Sequence, residues 1–444
     1  MIEYMLVLKN DYGGRCLMTT VAKKQNRVIF LDNLRYFFVV CVVLLHSATS
    51  YSNVLTWWPV VDKNTGILSI VISAYIDASA ILLLFFIAGF FAVPTIQKHG
   101  FGPFLTGKLK RLGIPWLVCI LVVGPVLPLI YHYTRDGLTL SMSYWDRWLV
   151  LMNHAAEFNV GVIKSMDLLK QNDRFFQRYM WFISLLLLFF ILFGAAYRLK
   201  SGWFEAGQKI EPSKEKSGMP FWGIIAGFGC STFFLSMLVI QVMLRLYPEN
   251  RNPEAWFTLG NVIQFQPSRL PAYVAYFLLG IFMFKNDWAG RGKFSGSLIP
   301  WILAFILTSI AYGASGFFFM QASAEAKLIW GPILFFGRNL LSAAILGFFL
   351  VFAYRYWNRP SRINRDLAAN SYNIYLAHYL FVILFQLMLF SVSGLPGDIK
   401  FAIVAMLSLA CAYCASRFLI EPHPRTTVAL MFAMLAGMFV FIKP

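Results

Sequence analysis

About eleven times along this chain, roughly 20 predominantly apolar residues occur in a row, the length a helix needs to cross the hydrocarbon core of a bilayer. Backbone N–H and C=O groups in hydrocarbon must be satisfied within the protein, so only helices and closed barrels span it. Runs this long, without the alternation of a barrel strand, select helices. The expected spans lie near residues 28–47, 68–93, 112–132, 180–198, 220–244, 270–285, 297–320, 330–354, 369–392, 398–418 and 426–442. The fold class that follows is all-α, a polytopic membrane protein of about 10–11 transmembrane helices. Residues 1–27 form a lead into the first helix, 28–422 the transmembrane domain, and 423–444 an extra C-terminal helix. Only 13% of the residues are charged, against about a quarter in soluble domains, which excludes a soluble globular protein.

The net charge of +18 would suggest a nucleic-acid partner in a soluble chain, but its distribution gives another answer. Lys23, Lys24 and Arg27 precede the first span, Lys98, Lys108, Lys110 and Arg111 separate the second and third, and Arg198, Lys200 and Lys209 follow the fourth. Lys285, Arg291 and Lys293 follow the sixth, and Arg355, Arg359, Arg362 and Arg365 the eighth. Every second loop is basic, the pattern of cytoplasmic loops, so the N-terminus is expected inside and no nucleic acid is expected as a partner. The lead has no cleavable hydrophobic region, so the first span reads as a signal anchor, and Met18 is an alternative start. The six cysteines fall mostly within spans and nothing supplies the further ligands of a metal site, so no metal is expected.

Against this apolar background the first span is exceptional, because FLDNLRYFFVVCVVLLH (residues 30–46) holds Asp32, Arg35 and His46. Eleven residues separate Arg35 from His46, and at about 100° per residue that returns a side chain to nearly the same helix face, about 16 Å further on. Titratable groups within a span are costly and face a protein interior or polar cavity. An imidazole titrates near neutrality and suits a general base that activates a hydroxyl. Arg35 stays charged and needs an anionic companion, which Asp32 three residues earlier supplies; an anionic ligand is a compatible second partner.

Other residues form a weaker set. GKLKRLGIPW (residues 107–116) sets Lys108 and Arg111 three apart, on one helix face suited to a phosphate-bearing ligand as well as to marking the cytoplasmic boundary. His378, in NSYNIYLAHYL, lies in a polar stripe that faces protein or cavity. Trp181 and Phe182 open one span as an interfacial anchor would, while Gln264, Gln266 and Arg269 stand at the mouth of another. Arg417 and Glu421 are one turn apart, as in a local ion pair. The long segment from about 134 to 179 carries Tyr144, Trp145, Trp148, His154 and Glu157, a composition shared by sugar-binding surfaces and aromatic membrane belts.

With these residues quoted, the chain resembles the acyltransferase-3 family of integral membrane acyltransferases. FLDNLR followed by His46 is similar to its Arg/Lys-x10-His motif, and FFIAGFF (residues 85–91) to its FFxxSGF-type element. Lys108 to Arg111 resembles an Arg-x-x-Arg element, Trp181-Phe182-Ile183 a Trp-Phe-Leu element, and residues 371–378 its Ser-x-x-x-Tyr-Leu-x-His segment. Ile420-Glu421-Pro422 is similar to its closing Glu-x-Pro element. The likeness is greatest to the glucan-modifying, glucans biosynthesis protein C-like branch, similar to the protein that places succinyl groups on periplasmic glucans. Two positions depart from the pattern: Lys108 keeps charge without the planar fork of arginine, and Ala88 stands where serine is usual.

The resemblance implies O-acyl transfer, of an acetyl or succinyl group, from cytoplasmic acyl-CoA to a hydroxyl of an extracytoplasmic carbohydrate or glycan. No bound cofactor is implied, since acyl-CoA is the donor substrate. It implies His46 as catalytic base or transient acyl carrier, Arg35 as its essential partner, and Lys108 and Arg111 as donor contacts. Asp32, Trp181, His378 and Glu421 are the candidate supporting residues. The expected surroundings are the bacterial inner membrane and its lipid bilayer, with a separate periplasmic partner protein as an additional candidate. The rival reading is a transporter or flippase for a glycan or lipid-linked substrate, suggested by interruptions such as Gly124-Pro125.

Overall fold

The structure, a computed structural model, describes residues 28–52, 55, 57–136, 144–163, 177–204, 221–250 and 252–441. The lead at 1–27, most of the basic loop at 200–218, and part of the long segment at 134–179 lie outside the described residues. In chain order the helices are α1 (Ile29–Thr49), α2 (Ile67–His99), α3 (Phe101–Lys108), α4 (Ile114–Val122), α5 (Val126–Asp136) and α6 (Tyr144–Ala156). After strand β1 (Val160–Ile163) come α7 (Trp181–Leu199) and α8 (Phe221–Leu246), then strands β2 (Trp256–Leu259) and β3 (Ile263–Phe265). They are followed by α9 (Leu270–Lys285), α10 (Ile299–Gln321), α11 (Ala324–Tyr356), α12 (Arg362–Phe390), α13 (Gly397–Ala415) and α14 (Pro424–Phe441).

Among the described residues, nine helical segments are long and apolar enough to cross a membrane, and the bent run α3–α5 makes ten. The chain is therefore an all-α polytopic membrane protein, as its apolar runs require. The third expected span, 112–132, is not one helix. A π-turn at Leu109–Gly113 joins α3 to α4, and the run bends by 47° before α5. Gly124-Pro125 explains the break: proline has no N–H to continue the ladder. A Cβ on Gly124 would meet the Ile120 carbonyl oxygen at 2.5 Å, so the turn there is too tight for a side chain.

Two helix pairings organise the core. Gly89 of α2 and Gly280 of α9 let the backbones touch, since a Cβ on either would fall 2.0–2.1 Å from the Phe277 or Phe86 carbonyl oxygen. This is what the glycine of FFIAGFF does structurally. The second pair, α1 and α12, runs parallel, and cross-links recur along its length. Asn33 donates to the Trp357 carbonyl beyond one end of α12, Tyr36 to Asn364, and Arg35 to the Ala368 carbonyl (3.0 Å). His46 meets His378, and Gln386 donates to the His46 carbonyl (2.9 Å). The two helices are thereby locked in one register over their shared span.

At the His46 end of α1, a three-stranded antiparallel sheet in the order β1-β2-β3 covers the helices. The β2–β3 turn needs left-handed backbone at Gly260 (φ 62°) and Asn261 (φ 57°), residues suited to that conformation. Asn261 then donates to the His154 and Glu157 carbonyls, fixing α6 to the sheet. Trp145 and Trp148 lie parallel to each other and pack on Phe439 of α14, and Trp148 donates to the Leu121 carbonyl. These tryptophans thus tie α6 to α4 and α14.

The loop between α1 and α2 carries Trp57 and Trp58 and is held by an ion pair between Asp62 and Lys400 (2.7 Å), exposed by only 3% and 1%. Removing one partner of such a pair strands the other charge, at a cost of about 3–5 kcal/mol. Lys400→Met is therefore expected to lower the thermal midpoint of the purified protein clearly, and adding Asp62→Asn to restore much of it. Equal midpoints for wild type and Lys400→Met would show that the pair is not what holds the loop.

Candidate active site

His46 sits at the last turn of α1, its ring among Trp58, Tyr379 and His378 at centroid distances of 5.0, 5.6 and 5.1 Å. Its Nδ1 lies 2.9 Å from Nε2 of His378, and the two rings are within 10° of parallel. His378 is fully buried, and its Nδ1 lies 2.6 Å from the Tyr375 carbonyl oxygen. Gln386 bridges the loop and α1, accepting from Trp58 Nε1 while donating to the His46 carbonyl. The His378 bond holds the imidazole itself, and the Gln386 bond holds the backbone that carries it.

His46 opens on a cavity of about 240 Å³, walled by α1, α2, the start of α7, the β2–β3 hairpin with its flanking loops, and α12. One wall is aromatic. Trp181 meets Trp256 edge-on at 5.4 Å, Trp256 meets Trp57 at 6.4 Å, and all three line the cavity. Tyr179 and Tyr375 belong to the same lining, and Tyr375 donates to the Tyr179 carbonyl.

Another part of the lining is ionic. Glu254 receives Arg269 through both carboxylate oxygens (3.2 and 3.1 Å) and Arg338 through Oε1 (2.7 Å). Arg269 also donates to Asp77 (2.9 Å). Two carboxylates meet two guanidiniums, Arg338 standing behind the lining, so the network as a whole carries no net charge. Burial alone would raise the Glu254 carboxyl, but the flanking Arg269 and Arg338 guanidiniums outweigh it and hold the group at about 2. Glu254 is thus ionised at any neutral pH, and its side chain, 38% exposed, keeps acceptor capacity toward the cavity.

The other end of α1 is basic. Arg35 donates to the Ala368 carbonyl and pairs with Asp32 at 3.2 Å. Lys108 lies within electrostatic reach of both Arg111 and Arg35, with its ammonium 3.9 Å above the Phe190 ring. Arg111 rests against Tyr372 of α12, whose hydroxyl donates to the Arg111 carbonyl. The π-turn of residues 109–113 presents Arg111, in line with the frequent use of such bulges at functional sites. Three cations from two segments that are remote in sequence therefore gather about 16 Å of helix rise from His46, with Asp32 as the carboxylate paired within them.

The arrangement sorts the sequence candidates. His46 and His378 come together, His378 buried behind His46, and Trp181 joins His46 in the lining of the cavity. Arg35, Lys108 and Arg111 converge, with Asp32 as a local counter-charge. Glu421 stands apart: it is exposed, with Arg417 at 3.8 Å, and Arg417 also meets Asp366. Sequence reasoning passed over Asp77, Glu254, Arg338, Trp57 and Trp256. An acidic residue within the second span was the available signal for Asp77, and Arg338 within the eighth the signal for a carboxylate partner elsewhere.

Compared with known proteins, residues 28–442 match the family model described as an acyltransferase domain, Acyl_transf_3. No curated protein and no solved structure matches the chain. The family match covers all of the described helices, including α1 with its Arg35–His46 stripe and α12 with His378. The chain belongs to the Acyl_transf_3 family and is a membrane-embedded acyltransferase, a transferase of groups other than amino-acyl groups.

Proposed function

We propose that this chain moves an acetyl or succinyl group from acyl-CoA, bound at the Arg35–Lys108–Arg111 end, to a hydroxyl of a carbohydrate or glycan seated in the His46 cavity. The observation that carries this reading is the polarity of α1, with a cation cluster at one end and an imidazole in a cavity at the other. Phosphates of the donor suit the cations, Arg111 offering a planar fork and Lys108 a point charge. An extended pantetheine arm is long enough to carry the thioester along the helix to His46. The basic loops support a reading in which the cation end faces the cytoplasm of a bacterial inner membrane and the cavity faces outward.

At the cavity end, His46 removes the proton as the acceptor oxygen attacks the thioester carbonyl. The C–S bond then breaks, the acyl–oxygen ester remains, and the proton passes from the imidazolium to the departing thiolate. A transient acyl-imidazole is the other route an imidazole offers. The indole faces of the cavity suit the C–H faces of a sugar ring, and the Asp77 and Glu254 carboxylates accept hydrogen bonds from its hydroxyls. A volume below the ~300–1,000 Å³ of drug-sized pockets suits one acceptor unit at a time. An ion network without net charge suits a neutral one. A separate periplasmic protein that finishes the reaction is a compatible partner.

Mass spectrometry of envelope glycans from cells expressing wild type or His46→Ala tests the proposal. Acyl-ester substituents on glycan are expected with wild type and not with the variant. Glycans identical in the two strains, with a His46-dependent acyl ester on lipid or protein instead, would refute the acceptor class. Movement of unmodified glycan without any ester would favour the transporter reading.

A further inference from the structure

We infer that His378 is a positioning residue that holds His46 in a single tautomer, with the proton on Nδ1 and the lone pair on Nε2. The inference rests on the reading of His46 as the base and identifies which nitrogen acts. A carbonyl oxygen has no proton to give, so at 2.6 Å from the Tyr375 oxygen the His378 Nδ1 is the donor. A neutral imidazole carries one N–H, so His378 Nε2 is then bare and accepts. The atom 2.9 Å from it, His46 Nδ1, must therefore donate. That spends the only proton of a neutral His46 and leaves Nε2 as the basic nitrogen.

The alternative, with both nitrogens of His378 protonated, would bury a cation among the Tyr375 and Ile374 backbone and a second imidazole. Neither is an anion, and a fully buried charge without a counter-charge is costly. The order of groups is that of a base oriented by a third group, with a backbone carbonyl and a second imidazole in place of a carboxylate. It also prepares the reaction. When His46 takes the acceptor proton on Nε2, its Nδ1–H still points at the His378 lone pair, so the new imidazolium keeps its partner and no side chain has to turn. The rigidity comes from the α1–α12 register described above, because His378 cannot rotate without giving up the Tyr375 carbonyl.

Three variants and one spectrum test this. His378→Leu removes the acceptor, and kcat for acyl transfer is expected to fall roughly 10²–10⁴-fold with the KM for acyl-CoA unchanged. His378→Gln sets an amide oxygen in place of Nε2 and an amide N–H toward Tyr375, and is expected to stay within about tenfold of wild type. A glutamine variant as inactive as the leucine variant, with both monodisperse after purification, would overturn the inference, as would full activity in the leucine variant. ¹⁵N spectra of histidine-labelled protein, with His46 assigned by its loss in His46→Ala, should show a protonated Nδ1 and a bare Nε2. The opposite pattern in wild type would also overturn it. If His46→Ala instead retains acyl transfer, the catalytic reading fails while the tautomer assignment is decided by the spectra alone.

Discussion

A His46→Ala variant purified in lipid nanodiscs is expected to lose at least 10²–10⁴-fold in acyl transfer, the range that a positioned general base contributes. Loss is larger still where the imidazole carries the acyl group, since no other nucleophile replaces it. The variant should fold normally, because His46 contributes its ring to the cavity while the α1–α12 register is also held by Asn33, Tyr36, Arg35 and the Gln386 bond to a backbone carbonyl. Donor binding should survive as well, since the cation cluster lies about 16 Å away along the helix. The assay follows free thiol release and ester formation together. Ester formation at the wild-type rate by a monodisperse His46→Ala preparation would exclude the imidazole from the chemistry.

The second large effect is expected at the other end of α1. Lys108→Glu and Arg111→Glu each remove a charge-assisted contact worth about 1.5–3 kcal/mol, a factor of roughly 10–100 in donor affinity, and add repulsion against phosphate. The KM for acyl-CoA should therefore rise at least tenfold in either variant while the KM for the acceptor stays put. Arg35→Ala should likewise raise the donor KM, because it removes a cation from the cluster and breaks the 3.2 Å pair with Asp32. Lys108→Arg is expected to keep donor affinity. Steady-state kinetics in both substrates separate these outcomes, and an unchanged donor KM in both charge reversals would detach the basic cluster from donor binding.

Much of the fold was legible because the membrane writes its requirement into local sequence. A run of 20 apolar residues is a statement about length alone, and it located most of the spans, including α1, α9 and α12. The Arg35–His46 stripe was legible for the same reason, since helical geometry relates positions on one element without any knowledge of packing. The break between α4 and α5 was signalled by Gly124-Pro125, yet apolarity continues through it, so the span read as one helix.

The site was half legible. His378 showed as a polar group that had to face inward, but its partnership with His46 joins residues 332 apart and depends on the parallel register of α1 and α12. Periodicity fixes a face of a helix and says nothing about which helix that face meets. The Glu254 network draws on a loop, α2, α11 and the approach to α9, four places that no local pattern connects. Trp57 and Trp256 lie in connecting segments whose composition looked ordinary. Trp145 and Trp148, conspicuous in the sequence, turned out to serve packing against α14.

The central claim is that acyl transfer runs along α1, from a donor at the Arg35 end to an acceptor at the His46 end on the opposite side of the membrane. Proteoliposomes with the protein in one defined orientation test it directly, with radiolabelled acyl-CoA outside and the glycan acceptor sealed within. When the Arg35 end faces outward, labelled ester should accumulate on the enclosed glycan, and none should form when both substrates are on the His46 side. Label appearing only on glycan supplied to the donor's own compartment would contradict the account.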